Sequence, residues 1–176
     1  MFHQSHEVDQ CPAALALHLL RLHLFVGGPH DGSPGALRLT TGPGITGPSE
    51  LLLIDVRPFG LTGRQAESIV RDVGITLNRN SLPFDPNGPW YTSGLRLGTP
   101  AVTTLGMGVK EMQEIAAITQ LVLSRSKPEV SATGPQAGTP SKARYTIDPA
   151  ALAEGQARVR SLLAQYPVYP NLDLAL

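Results

Sequence analysis

Glycine and proline interrupt this chain so often that much of its length must be loop: 18 glycines and 16 prolines fall among 176 residues. Proline fixes φ and removes a backbone donor, and glycine loosens the chain, so both end elements rather than continue them. They crowd into three stretches, Gly27 to Pro48, Asn78 to Pro89 and Lys127 to Lys142. Strands and helices are left to the segments between these stretches. The length and the 41% hydrophobic content suit one domain with a modest core and loose ends.

Charge excludes several partners. Fourteen Lys plus Arg balance fourteen Asp plus Glu, so no net field draws the chain onto nucleic acid or an anionic membrane. A single Cys11 rules out an internal disulfide framework and a cysteine-based zinc site, and points to a reducing, cytoplasmic setting. The longest apolar stretch, Ala13 to Val26, is too short for a membrane span and is interrupted by His18, Arg21 and His23. Glu7 and Asp9 precede it with no Lys or Arg, which is wrong for a signal peptide.

Hydrophobic periodicity divides the chain into four pieces. Residues 1–48 read as an irregular or disordered leader with a short Leu-rich helix. Residues 49–125 form the core unit. Leu51 to Val56 is a buried strand stopped by Pro58, and Thr62 caps a helix with Ala66, Ile69, Val70 and Val73 on one face, ended by Gly74. Ile75 to Leu77 is a second strand, the proline-rich loop Asn78 to Pro89 has no regular structure, and Tyr91 to Leu97 is a third strand. Gly98-Thr99-Pro100 then turns the chain toward a helix over Val109 to Ser124, with Met112, Ile115, Ile118 and Val122 on one face. Residues 126–148 read as a flexible linker or exposed loop, and residues 149–176 as a final helix to about Ala164 with a tail. The expected fold class is α+β, a small antiparallel sheet with helices on one face.

Two places could carry chemistry. A loop as long as Asn78 to Pro89 is uncommon in a compact domain unless it has a function. Its Asn78, Asn80 and Ser81 could read the edge of a flat heteroaromatic ring, or could simply satisfy the loop's own backbone. Arg96, in Thr92-Ser93-Gly94-Leu95-Arg96-Leu97-Gly98-Thr99-Pro100, is flanked by hydroxyls and glycines rather than by acids. A planar guanidinium there suits a ligand carboxylate, although an ordinary strand-end arginine would look the same. Of the five histidines, His3, His6, His18, His23 and His30, the first two are three apart but are followed by no acidic or cysteine partner cluster, and His18 and His23, five apart, miss the i, i+4 spacing of a helical metal pair. No Gly-x-Ser-x-Gly, phosphate-binding loop or dinucleotide fingerprint is present.

The run Gly74-Ile75-Thr76-Leu77-Asn78-Arg79-Asn80-Ser81-Leu82-Pro83-Phe84-Asp85-Pro86, followed by Thr92-Ser93-Gly94-Leu95-Arg96-Leu97-Gly98-Thr99-Pro100-Ala101-Val102-Thr103-Thr104, closely resembles the C-terminal small domain of serine hydroxymethyltransferases (glycine hydroxymethyltransferases). The likeness reaches back through Leu61-Thr62-Gly63-Arg64-Gln65-Ala66-Glu67 to Leu51 and forward to about Ser124, and Tyr166-Pro167-Val168-Tyr169 looks like the family's terminus. It implies the C-terminal domain of a fold-type I pyridoxal-phosphate enzyme. Such transferases interconvert glycine and serine, passing a one-carbon unit to or from tetrahydrofolate. By that resemblance Arg96 holds the substrate carboxylate and Asn80 faces the folate pterin.

The chain departs from the family pattern in two ways. Where the family commonly has Arg-Gly after the paired threonines, this chain has Leu105-Gly106, so a basic group near the substrate entrance is missing. The family holds pyridoxal phosphate on a lysine that follows a Thr-Thr-His run in an N-terminal large domain. Here Lys110, Lys127 and Lys142 are the only lysines, and none has that context. The expectation is a truncated, catalytically incomplete fragment whose residues 1–48, unlike the large domain, suit a fused or mistranslated leader. The other reading is a non-catalytic module that docks on a large domain, a full-length subunit or another partner.

Overall fold

The computed structural model describes residues 38–40, 51–131 and 137–168. The strand of the leader, β1 (Arg38–Thr40), pairs antiparallel with β2 (Leu51–Asp55), setting Leu39 opposite Ile54. A 3-10 turn (Arg57–Phe59) follows, closed by Gly60 at a φ of +70°. Next come α1 (Gly63–Asp72), β3 (Asn78–Asn80), α2 (Gly88–Tyr91), β4 (Gly94–Gly98), α3 (Pro100–Thr104) and α4 (Val109–Ser124). An antiparallel ribbon, β5 (Ser126–Val130) and β6 (Pro140–Ile147), leads into α5 (Pro149–Gln165). The four-stranded sheet has the order β1-β2-β4-β3 and is antiparallel throughout. The fold is therefore α+β with small antiparallel sheets, as expected.

The core lies on one face of this sheet. Leu52 and Ile54 stand opposite Leu97 and Leu95, and Leu52, Ile54 and Leu95 are buried against Ala66, Ile69 and Val70 of α1, Met112, Ile118 and Val122 of α4, and Val159 of α5. Strand side chains alternate between faces. Burying the even-numbered residues of β2 and the odd-numbered residues of β4 therefore sends Leu53 and Arg96 to the opposite face.

Helix α1 starts where Thr62 was expected to cap it. Thr62 Oγ1 accepts from Gln65 N at 3.2 Å and Gln65 Oε1 accepts from Thr62 N at 2.9 Å, a reciprocal capping box. It ends at Gly74, whose φ of +95° only glycine adopts cheaply, with Ile75 N donating back to Val70 O at 3.1 Å. Helix α5 opens with Asp148, whose carboxylate accepts from Ala150 N at 3.0 Å, and with Pro149 in the first turn. It packs closely because Gly155 has no side chain: a Cβ there would fall 2.9 Å from Val73 Cγ1 and 3.1 Å from Val122 Cγ1. Arg158 ties α5 to α4 through both oxygens of Glu114, at 2.6 and 2.8 Å.

Several expectations are corrected. The strand expected at Ile75 to Leu77 lies at Asn78–Asn80 instead, because Ile75 N closes the helix and Ile75 and Leu77 pack on the core from the side. The loop read as irregular thus begins with a strand and ends with the single helical turn α2, where Pro89 costs nothing because early helical positions need no N–H donor. Tyr91 belongs to that turn, so β4 begins at Gly94. Part of the leader, Arg38–Thr40, is an edge strand.

Within residues 126–148, expected as a linker or loop, Ser126–Val130 and Pro140–Ile147 pair as the β5–β6 ribbon. Its register breaks between Pro128, opposite Tyr145, and Val130, opposite Pro140, which leaves carbonyls of β6 without strand partners. Side chains of α1 supply the missing donors. Gln65 Nε2 donates to Ser141 O and Arg144 O, both at 2.7 Å, and Thr62 Oγ1 donates to Lys142 O at 2.8 Å. Local proline and serine content suggested a linker, whereas the polar N-terminus of α1 makes it a folded element. The Leu-rich helix, Cys11, the five histidines and the tail from Tyr169 lie outside the described residues. Among the described residues no helix is long and apolar enough to cross a membrane.

Candidate functional site

Both candidate residues reach one face of the sheet, opposite the core. The register pairs Arg96 with Leu53 on one side and Asn78 on the other, and pairs Gly94 with Asp55 and Asn80. Period-2 alternation therefore puts Asn78, Asn80 and Arg96 on the same side. Asn78 stands directly opposite Arg96 and Asn80 diagonally from it, a separation of about 7–8 Å between backbones that long side chains can bridge.

Arg96 is exposed, and among the described residues its guanidinium makes no ion pair or hydrogen bond. Its neighbours are committed. Arg57 Nε lies 2.9 and 3.0 Å from the two oxygens of Asp55, with Nη2 at 2.6 Å, and this hydrogen bonding raises the Arg57 pKa above its ordinary value. Arg79 pairs with Glu67 at 2.6 Å, and both Arg79 and Arg64 sit over the Trp90 ring, 6.0 and 5.4 Å from its centroid. Five donors in a planar fork thus remain available on Arg96 for an acceptor such as a carboxylate. Asn80 is half-buried, and its Nδ2 donates to Ser81 O at 2.7 Å, leaving the amide oxygen and one N–H for another group.

The connection between β3 and β4 is held by one carboxylate. Asp85 Oδ1 accepts from Ser93 Oγ at 2.6 Å and from Asn87 N at 2.9 Å, while Oδ2 accepts from Ser93 N at 2.7 Å and from Leu82 N at 3.1 Å. Asn87 Nδ2 completes the knot by donating to Ser93 Oγ at 3.0 Å. Burial pushes the Asp85 carboxyl up, yet the Ser93 hydroxyl and the three backbone donors outweigh it and hold the pKa below the ordinary value. Leu82 is packed over Gly94, where a Cβ would fall 2.7 Å from Leu82 Cδ2. The strand bearing Asn80 and the strand bearing Arg96 are thereby fixed to each other. Sequence reasoning named Asn80 and Arg96 and missed Asp85 and Ser93, although Asp85 followed by Pro86 and Asn87 is the pattern of an aspartate that caps its own turn.

At the entry to β4 the backbone is unusual. Thr92 has φ +54° and ψ 174°, a region nearly confined to glycine. Its carbonyl accepts from Gly63 N at 3.0 Å, and a Cβ at Gly63 would overlap Thr92 Oγ1 and lie 2.7 Å from Gly94 O. The hydroxyls of Thr92 and Thr99, at either end of β4, are buried without a hydrogen-bond partner among the described residues.

The three lysines lie on three different elements, Lys110 in α4, Lys127 in β5 and Lys142 in β6, and all are exposed. A lysine that condenses with a carbonyl cofactor works from a desolvated pocket, whereas these three side chains stand in solvent. The described residues therefore do not fit the cofactor site that the resemblance implies for the whole enzyme. Among them, no group of three His, Cys, Asp or Glu side chains is arranged to hold a metal ion.

A family model for serine hydroxymethyltransferase matches residues 44–119, a span that runs from before β2 into α4 and includes Asn80, Asp85 and Arg96. Serine hydroxymethyltransferase of Treponema pallidum (strain Nichols) is 53% identical over 125 residues, 71% of this chain and 21% of the relative. That of Salinispora tropica is 48% identical over 132 residues, 74% of this chain and 27% of the relative. That of Chlamydia pneumoniae is 44% identical over 138 residues, 78% and 26%. The chain spans about a quarter of the length of these relatives. Identity at this level over most of the described fold leaves one assignment: the chain belongs to the serine hydroxymethyltransferase family.

Proposed function

We propose that this chain supplies the substrate-carboxylate and folate contacts of a serine hydroxymethyltransferase and does not itself hold the cofactor. Arg96 binds the carboxylate of glycine or serine, Asn80 meets the pterin edge of tetrahydrofolate, and the Asp85 knot keeps the two strands in register. The observation that carries this reading is the uncommitted guanidinium of Arg96 on the same sheet face as Asn80. Pyridoxal phosphate would supply the electron sink for the carbon chemistry, but no lysine of this chain is placed to bind it. The polypeptide is thus a small domain of the C-terminal type, catalytically incomplete alone.

Alone, Arg96 would hold glycine weakly, because an exposed ion pair contributes only about 0–1 kcal/mol. Titrating glycine to high concentration into the isotope-labelled chain should shift the Arg96 side-chain resonances and the β3 and β4 backbone amides beside them, and Arg96→Ala, a substitution at an exposed position, should abolish the amide shifts without changing the fold. Equal backbone-amide shifts in Arg96→Ala would refute the assignment. A second reading, a module that docks on a full-length subunit, is favoured by two exposed aromatics at the β3–β4 connection, Phe84 at 101% and Trp90 at 62% exposure.

A further inference from the structure

We propose that the Asn87–Gly88 bond is a deamidation site whose product unties the Asp85 knot. Of the four asparagines in the sequence, Asn87 alone is followed by glycine. Lacking a side chain, glycine leaves its backbone nitrogen open to approach a neighbouring carbonyl carbon. Gly88 is also the first residue of α2, where the N–H has no intrahelical partner. In the reaction Gly88 N attacks Asn87 Cγ, the new C–N bond closes a five-membered imide, the Cγ–Nδ2 bond breaks, and ammonia leaves with the proton that Gly88 gives up. Water then opens the ring to aspartate or to isoaspartate.

The closed loop opposes the first step. Asn87 has a ψ of −6°, which turns Gly88 N away from the Asn87 side chain, and Nδ2 is held by Ser93 Oγ at 3.0 Å. Ring closure therefore proceeds from transiently opened loops, and its rate follows their population. Reclosing fails afterwards for a reason of proton count. A serine hydroxyl has one proton, and that of Ser93 is already donated to Asp85 at 2.6 Å. Where an amide N–H once pointed at Ser93 Oγ, the product presents a carboxylate, so two anions face one donor inside a half-buried turn. The change is irreversible, and it loosens the link between the strands that carry Asn80 and Arg96.

The test ages the purified chain at mildly alkaline pH and body temperature. Trypsin, cutting after Arg79 and Arg96, releases the segment from Asn80 to Arg96, whose fragmentation spectrum separates Asn80 from Asn87. Aspartate and isoaspartate should accumulate at position 87 and not at position 80, more slowly than in the same peptide free in solution. Asn87→Asp should speed amide exchange at Leu82 and Ser93 about tenfold or more, the scale of one lost charge-assisted hydrogen bond. If that variant does not fold, the aged chain purified by ion exchange serves for the same comparison. An intact Asn87 after the free peptide has fully converted, or unchanged exchange at Leu82 and Ser93 in the altered chain, would overturn the proposal.

Discussion

Removing the Asp85 carboxylate tests how the two ligand-bearing strands are held together. In Asp85→Ala four donors lose their acceptor: Leu82 N, Asn87 N, Ser93 N and Ser93 Oγ. An unsatisfied buried donor costs roughly 1–3 kcal/mol. Ser93 is fully buried and contributes two of the four, whereas Asn87 and the half-buried Asp85 position admit water. The two Ser93 donors alone come to about 2–6 kcal/mol, with Leu82 N on a buried residue adding to it, which for a domain of this size corresponds to a fall in Tm on the order of 10 °C or more. Asp85→Asn keeps one acceptor oxygen and should lose about half as much. Urea unfolding followed by circular dichroism measures the effect as a lower midpoint at unchanged slope. A midpoint in Asp85→Ala indistinguishable from the parent would show that the knot holds nothing, and the account of how Asn80 and Arg96 keep their register would fail with it.

Two further outcomes follow from the same network and from the ribbon. Asp85 has a folded-state pKa below its unfolded value, so its contribution is complete above the unfolded pKa and is lost as pH falls through the folded one. Amide protection at Leu82 and Ser93 should persist through the ordinary carboxylate range and fail only below it, and failure near neutrality would contradict the assignment. Gln65→Leu keeps the volume of a fully buried side chain but strips the donors from Ser141 O and Arg144 O and the acceptor from Thr62 N. It should cost about 2–4 kcal/mol and expose the ribbon amides to exchange, whereas a loss below about 1 kcal/mol with a protected ribbon would mean that the ribbon is anchored elsewhere.

Local signals located the three long helices, whereas the short helices α2 and α3 were not anticipated. Thr62 and Gly74 bound α1, and apolar residues at helical spacing mark α4 and α5. Strands were harder to place, since pairing is settled by a partner distant in sequence. Asn78–Asn80 has little apolar character and is a strand only because β4 lies beside it, and Arg38–Thr40 is one only because of β2. The ribbon was hidden for the same reason: its unpaired carbonyls are answered by Thr62 and Gln65, nearly 80 positions earlier in the chain. For the site, Arg96 and Asn80 stood out by residue type and by family resemblance. Asp85 did not, because a carboxylate that binds four donors of its own loop looks in sequence like any turn aspartate.

Absorbance of the purified chain with pyridoxal phosphate, before and after glycine and then tetrahydrofolate, tests the central claim most directly. If the chain carries the carboxylate and folate contacts but not the cofactor lysine, no stable visible band should form beyond that of free cofactor, and neither addition should move it. A stable band that shifts with glycine would contradict the account, for it would mean that Lys110, Lys127 or Lys142 builds a cofactor site on its own.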